Sequence, residues 1–434
     1  MRSYNNSPTI IANINFSFAF VVFALIIASC LSTPLPSTGS VNIPNDFFGL
    51  VHAGITVTPR EYKLLDEMGV NWILKTFYWS SIEKEKDVFD FSDNDDFVEM
   101  ACSEGKKIIA VLGYEATWLY PKGKQKKYIS PENIPLFLRF VDEIVNRYKG
   151  KIDVWEIWNE PNILFWKGPR KDFFELSRLT ALKIREVDSN AYILGGVFWR
   201  APRGFIKAMY NAGGMDNLNG IAFHPYAVNP RGSMKAHDNF LNVLSEINYS
   251  GPVWITEVGY PTGGWYPTRV SLKEQPSYVI KTIAGAAARG TRALLWYELF
   301  DSYNREEIHP RTINSEKFFG LAYPNFQKKN GATAYELCAK YLPGSVYTSE
   351  LPLKENIPSS IVAFCFLGGI SGNNTLIIWN DSNRTQKLKI QLKSNALLHD
   401  ISNGNTFSLP LELEIKKEPL FITWSGEEIP RIYK

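Results

Sequence analysis

From Phe47 onward the chain alternates short apolar, often β-branched runs with stretches whose apolar positions recur at helical spacing, the pattern of a parallel sheet joined by crossover helices. Eight such units can be counted. The expected strands are 48–53, 70–77, 107–113, 152–158, 192–197, 220–223, 253–256 and 293–297, with helical stretches such as 134–148, 172–187 and 276–288 between them. Eight strands and eight helices close as a (β/α)8 TIM barrel, an α/β fold in which residues at the carboxyl ends of the strands meet the ligand. A last barrel helix is expected over 332–342. Beyond it the helical period disappears. Short apolar segments at 361–367, 375–380, 386–392, 407–413 and 420–424, separated by Gly, Asn, Ser and Asp, predict a small C-terminal β-sandwich. The expected domains are therefore a barrel over 45–344 and a sandwich over 345–434, the latter more suited to packing against the barrel than to chemistry.

A chain of 434 residues exceeds what one hydrophobic core usually serves, in keeping with two domains. The net charge of +3 is too small to argue for a nucleic-acid partner. Twelve Trp and 21 Tyr supply flat apolar faces with polar edges, which suit sugar rings, although most such residues serve as core. Ahead of the barrel, residues 16–28 form an apolar run shorter than the roughly 20 residues that span a bilayer, so it reads as the core of a signal peptide over 1–30. Ile27-Ala28-Ser29-Cys30 resembles a bacterial lipobox, which implies cleavage before Cys30, lipidation of its sulfur and a secreted protein anchored to the cell envelope. Plain secretion is the alternative. Residues 31–44, with Pro34 and Pro36, read as a tether. Cys102, Cys338 and Cys365 form no Cys-x-x-Cys pair or Cys/His cluster; they are expected to be buried free thiols, with no metal.

Two strand ends carry the chemistry. Val154-Trp155-Glu156-Ile157-Trp158-Asn159-Glu160-Pro161-Asn162 is an apolar strand that stops in Asn-Glu-Pro, and Pro252-Val253-Trp254-Ile255-Thr256-Glu257-Val258-Gly259-Tyr260 places a second carboxylate at the end of another. A carboxyl pair of this kind is what glycosidic cleavage requires. Trp-Asn-Glu-Pro, a later Ile-Thr-Glu and His224-Pro225-Tyr226 between them resemble the retaining glycoside hydrolases of clan A, above all family 39 and the related glycosidases of exopolysaccharide gene clusters. The resemblance implies Glu160 as general acid/base after the fourth strand and Glu257 as nucleophile on the seventh. It also implies Asn159 as a partner of the sugar 2-hydroxyl, His224 as a sugar contact, Tyr226 as a donor to Glu257 and Trp296 as the floor of the cleavage site.

Further candidates rest on position alone. His52 ends the first strand and faces the expected cleft. Trp79, Tyr114, Trp118, Trp166, Trp199 and Trp265 lie at or just past strand ends, where a row of stacking platforms would sit, and each has core packing as its alternative. Glu156, inside its strand, is expected to pair with a buried cation. Relatives that hold the nucleophile with a second-strand arginine have no counterpart in Trp72-Ile73-Leu74-Lys75-Thr76-Phe77, where Lys75 is the available substitute. Lys122, Lys124, Lys126 and Lys127 crowd one loop, either solvated or attracting an anionic glycan. The expectation is a monomeric, cofactor-free retaining β-glycosidase, endo-acting on a β-linked polysaccharide or oligosaccharide. Exo-acting β-xylosidase-like action, transglycosylation and a non-catalytic glycan-binding role are the alternatives.

Overall fold

The computed structural model describes residues 39–120, 126–264, 269–302, 314–349, 357–392 and 395–434. Eight parallel strands close into a barrel: β1 (Phe48–Val51), β2 (Trp72–Tyr78), β3 (Lys107–Gly113), β4 (Val154–Ile157), β5 (Tyr192–Trp199), β6 (Gly220–His224), β7 (Val253–Val258) and β8 (Leu294–Trp296), with β8 paired back to β1. The strands are buried on both faces over most of their length, which is why these segments read as continuous apolar runs. One parity points into the barrel, where Val51, Trp72, Leu74, Ile109, Leu194 and Trp254 fill the interior. The other parity meets the helices. In Ile134–Tyr148 the residues at helical spacing, Phe137, Phe140, Val141, Ile144 and Val145, are all buried.

Helix starts follow local chemistry. Thr58 caps Pro59–Glu67 by accepting from the Glu61 N–H at 3.3 Å, and Asn229 caps Pro230–Glu246 by accepting from Gly232 at 2.9 Å, each with Pro at the first helical position. At the amino-terminal end of the barrel, Asp46 accepts from Arg292 at 2.8 and 2.9 Å and from Lys107 at 2.6 Å. Burial opposes the Asp46 charge, yet these two cations hold its carboxyl below the ordinary carboxylate value. Trp254 packs beneath, 5.2 Å from Trp72 and under the Arg292 guanidinium.

The C-terminal part is antiparallel. A seven-stranded sheet runs in the order Val41–Asn42, Val346–Thr348, Ile361–Leu367, Asn374–Asn380, Leu420–Trp424, Ala396–His399, Thr406–Ser408; a three-stranded sheet holds Leu413–Ile415, Gln386–Gln391 and Arg431–Tyr433. Alternation sorts the large sheet's side chains. Phe364, Phe366, Ile377, Trp379 and Phe421 join the core that surrounds the barrel, whereas Cys365, Leu376, Ile378, Ile422 and Trp424 pack with Leu388, Ile390 and Leu413 of the small sheet.

Three expectations change. Residues 41–42, assigned to the tether, form an edge strand on Val346–Thr348, so the sheet recruits chain from before the barrel. The strand expected over 407–413 is two strands in different sheets, because Pro410 between them has no N–H for a ladder. Cys102 is an exposed thiol, while Cys338 and Cys365 are buried as expected. No helix of the described residues is long and apolar enough to cross a membrane. The apolar run 16–28 and Cys30 lie outside the described residues, as do Lys122, Lys124 and Trp265.

Candidate active site

Glu160 is held by backbone rather than by a regular element. After β4 the chain passes through two left-handed non-glycine residues, Trp158 at φ 65° and Glu160 at φ 41°, and such conformations persist only where the surroundings impose them. Here they do. The Glu160 N–H donates to Val197 O at 2.9 Å, and Asn162 clips the loop to Trp199 by accepting from its N–H at 2.9 Å and donating to its carbonyl at 3.1 Å. Pro161 follows and stiffens the turn.

Glu257 reaches the site through an irregularity in β7. Ile255 and Val258 both face the helices although three positions apart, and the register shift between them marks a bulge. The extra residue lets Thr256 and Glu257, neighbours in sequence, both face inward. A similar shift in β5, between Gly195 and Phe198, turns Val197 inward to receive Glu160; Gly196 carries it at φ 78°.

His224, buried at the end of β6, joins the two carboxyls. Its Nδ1 lies 2.7 Å from Glu160 Oε1 and 3.6 Å from Glu257 Oε2, and its Nε2 lies 3.1 Å from Thr256 Oγ1. The Tyr226 hydroxyl donates to Glu257 Oε2 at 3.1 Å. One atom each from Glu160, His224 and Glu257 fall within 4.8 Å of one another. Three such ligand atoms could also hold a cation, but the Tyr226 donor and the short imidazole contact already occupy the carboxyl oxygens.

The carboxyls differ electrically. Burial alone pushes Glu160 up to about 8. Burial also raises Glu257, with Glu160 adding to it, but the His52 ring and the Tyr226 hydroxyl oppose the rise, and its side chain stays 19% exposed. Glu160 is thus the better acid-form holder and Glu257 the better anion. Burial lowers His224, keeping the ring neutral, and raises Tyr226, Tyr114 and Tyr297 far enough that all three remain hydrogen-bond donors.

The His52 Nδ1 lies 2.8 Å from Glu298 Oε2; burial opposes its protonation, but the Glu298 carboxylate outweighs this and raises it. Asn159 is half-buried and lies next to the Tyr114 hydroxyl. Trp296 does not floor the site. It is fully buried in the strand–helix layer, because inward positions on β8 are Leu295 and then Tyr297, whose ring lies 5.4 Å from His52. Trp79 is also core, its Nε1 donating to Glu83 Oε2 at 2.6 Å and its ring stacked on Phe140. Trp166 is buried beside Trp158, while Tyr114, Trp118 and Trp199 keep partly open faces. Lys75 points to the helix side, donating to Asp93 O at 3.1 Å over the Phe97 ring, and so does not replace the missing arginine. Lys126 lies over the Tyr120 and Tyr128 rings, and the Lys127 N–H donates to Glu115. Glu156 has no cation partner among the described residues, and its Oε2 is buried without a hydrogen-bond partner.

Tyr78, Thr256, Tyr297, Glu298 and Glu316 were missed by sequence reasoning. Tyr78 is 43% exposed, 6.0 Å from Tyr114, which in turn stacks on Phe165, giving an aromatic wall on one side of the cleft. Glu316 is solvent-exposed, and partial desolvation together with the charges of Glu298 and Glu160 raises its carboxyl. Strict alternation along β2 and β8 would have found Tyr78 and Tyr297; nothing local marks the others.

Known proteins share this arrangement of the chain. A family 39 glycoside hydrolase from Bacteroides cellulosilyticus superposes with a TM-score of 0.71 at 20% identity, covering 88% of this chain and 81% of that one. The fold is that of the family 39 glycoside hydrolases. A monomeric beta-xylosidase from Caulobacter crescentus superposes with a TM-score of 0.61 at 13% identity, over 89% of this chain and 98% of its own. A family 30 endoxylanase from Clostridium papyrosolvens gives 0.60 at 14%, over 89% and 98%. At these identities the likeness is one of fold. In sequence, 57 residues are 37% identical to a beta-xylosidase of Caldicellulosiruptor saccharolyticus, a stretch spanning 12% of each protein. No family model matches the chain.

Proposed function

We propose that this protein is a retaining β-glycosidase in which Glu160 is the acid/base and Glu257 the nucleophile. The observation that carries the proposal is the proximity of the two carboxyls, with an oxygen of each inside a 4.8 Å group that also includes His224. Direct displacement uses carboxyls about 5 to 5.5 Å apart, whereas an inverting pair stands about 6.5 to 9.5 Å apart to admit a water. Glu160, held protonated by burial, delivers a proton to the leaving oxygen as Glu257 attacks the anomeric carbon. Its conjugate base then draws a proton from water, which releases the sugar from Glu257 with the starting configuration. Asn159, beside the acid, is the residue this reading assigns to the sugar 2-hydroxyl.

The substrate in this reading is a β-linked glycan cut internally by a monomer. Endo action is favoured by the partly open faces of Tyr78, Tyr114 and Trp199 near the carboxyl pair, platforms for more than one sugar ring. A panel of β-linked polysaccharides and aryl glycosides tests it: mid-chain cleavage with a β-configured first product is expected. Monosaccharide release alone would overturn endo action, and an α-configured first product would overturn retention. Envelope anchoring through Cys30 is part of the same proposal and rests on the sequence ahead of the barrel. A fatty-acid analogue should label the wild type and not Cys30→Ser, and equal labelling would remove the anchor.

A further inference from the structure

The carboxyl end of β5 holds a cation that the mechanism does not use. Past the bulge in that strand the register resumes with Trp199 opposite His224, so Trp199 shares the face from which His224 meets the two carboxyls. Asn162, two residues after Glu160, fixes the Trp199 backbone, accepting from its N–H at 2.9 Å and donating to its carbonyl at 3.1 Å. The next residue is Arg200. Its N–H donates to His224 O at 2.9 Å, and its backbone is left-handed at φ 59°, a conformation that a non-glycine residue keeps only where its surroundings impose it. From there the guanidinium lies over the Trp199 indole, 5.6 Å from the ring centroid.

Both side chains are half-buried. Among the described residues no carboxylate pairs with the Arg200 guanidinium; burial alone acts on it, lowering its pKa, with no anion to offset the lost water. The acids near this end of the barrel are engaged elsewhere. Glu246 accepts from Arg203 at 3.0 Å and Lys207 at 2.9 Å, Glu160 lies against His224, and Glu257 accepts from Tyr226. A guanidinium that has given up part of its water without gaining an anion favours binding one, and its rest against the indole reduces the freedom it would lose in doing so. Its paired N–H groups match the two oxygens of a carboxylate. We propose that Trp199 and Arg200 form a subsite for an acidic sugar, the open part of the indole meeting the sugar ring and the guanidinium pairing with a sugar carboxylate. Resting on the acid/base assignment above, this subsite lies on the leaving-group flank, because the acid stands beside the departing oxygen and Trp199 is clipped to the loop that carries the acid. The substrate is then a β-linked glycan containing a uronic acid or another carboxyl-bearing sugar, held on the departing fragment.

Binding is read without turnover in the full chain carrying Glu257→Gln. The probes are uronic-acid-containing β-glycan oligosaccharides, each beside its carboxyl-reduced counterpart, which has the same linkages without the charge. By calorimetry at least one acidic member should bind about 10- to 100-fold more tightly than its reduced counterpart, the scale of hydrogen bonds to a charged group. Adding Arg200→Gln should bring the acidic glycan to the affinity of the reduced one, with the urea unfolding midpoint unchanged, and Arg200→Lys should recover only a small part of the preference because lysine has no fork. Equal binding of acidic and reduced glycans overturns the proposal. So does a preference that survives Arg200→Gln, which would belong to the general charge of the surface, or one that lysine restores in full. In digests by the protein with Glu257 intact, the departing fragment should carry the acidic sugar at or next to its new non-reducing end; acidic sugars confined to the other fragment overturn the placement. An Arg200-dependent preference in a protein that cleaves no β-glycan would instead refute the proposed function and uphold the subsite.

Discussion

Replacing Glu160 by Gln removes the ionisable proton while keeping size and hydrogen-bonding capacity, so it isolates the role of the acid. With its carboxyl raised to about 8, Glu160 is about 99% protonated at pH 6, where an ordinary glutamate at 4.5 would be about 3% protonated. The wild-type kcat/KM should therefore hold a plateau up to about pH 8 and fall about tenfold per unit above it. The sign follows from the raised value: the active protonated form is present below about 8 and lost as pH rises through it. In Glu160→Gln that basic limb should vanish. Substrates with poor leaving groups should lose about 10² to 10⁴ in kcat/KM, the usual contribution of general acid catalysis, while an activated aryl glycoside should lose much less in the first step and accumulate the glycosyl-enzyme. Added azide should restore turnover to Glu160→Ala and give a β-glycosyl azide, since the acid/base face is vacated. The assays are pH–rate profiles on two leaving groups and NMR of the azide product. Persistence of the basic limb in Glu160→Gln, or equal losses on both leaving groups, would refute the assignment of the acid.

The opposite limb should respond to Tyr226→Phe: its hydroxyl favours ionised Glu257, so its loss should raise the acid limb of kcat/KM by about one unit, measured on the same aryl substrate. Trp296→Leu should lower stability by about 3 kcal/mol in urea unfolding with KM nearly unchanged, whereas Tyr297→Ala should raise KM severalfold, because the first residue is core and the second faces the cleft. Asp46→Ala should cost about 2 kcal/mol in the same assay, since it leaves Arg292 and Lys107 facing each other in a partly exposed cluster far from the carboxyl pair, and turnover of folded protein should not change. Glu156→Gln should gain stability relative to wild type between about pH 4.5 and 8: the raised carboxyl makes the folded wild type bind more protons than the unfolded chain, so wild-type stability declines across that window while the variant's does not.

The sequence alone determined the alternating α/β architecture, because a parallel sheet buried on both faces needs apolar runs separated by amphipathic helices; that the sheet closes, with the eighth strand pairing back to the first, belongs to the tertiary structure. Helix Ile134–Tyr148 and strand Lys107–Gly113 have the limits expected from their apolar spacing. Glu160, Glu257, His224 and Tyr226 were legible because strand ends and short motifs are local, and the fold brings all four together. Period-two alternation in β8 was just as local, yet it separates Trp296 from Tyr297 only when one knows which parity faces inward. That choice belongs to the closed barrel. Bulges decided the rest: one inserted residue in β7 turns Thr256 and Glu257 to the same side, and one in β5 aims Val197 at the Glu160 backbone. A bulge leaves no mark on hydrophobic spacing, since both neighbours of the extra residue stay buried. Glu156 shows the same limit, for its sequence position suggested a buried partner of opposite charge, and only the packing of the barrel interior shows that none of the described residues supplies one.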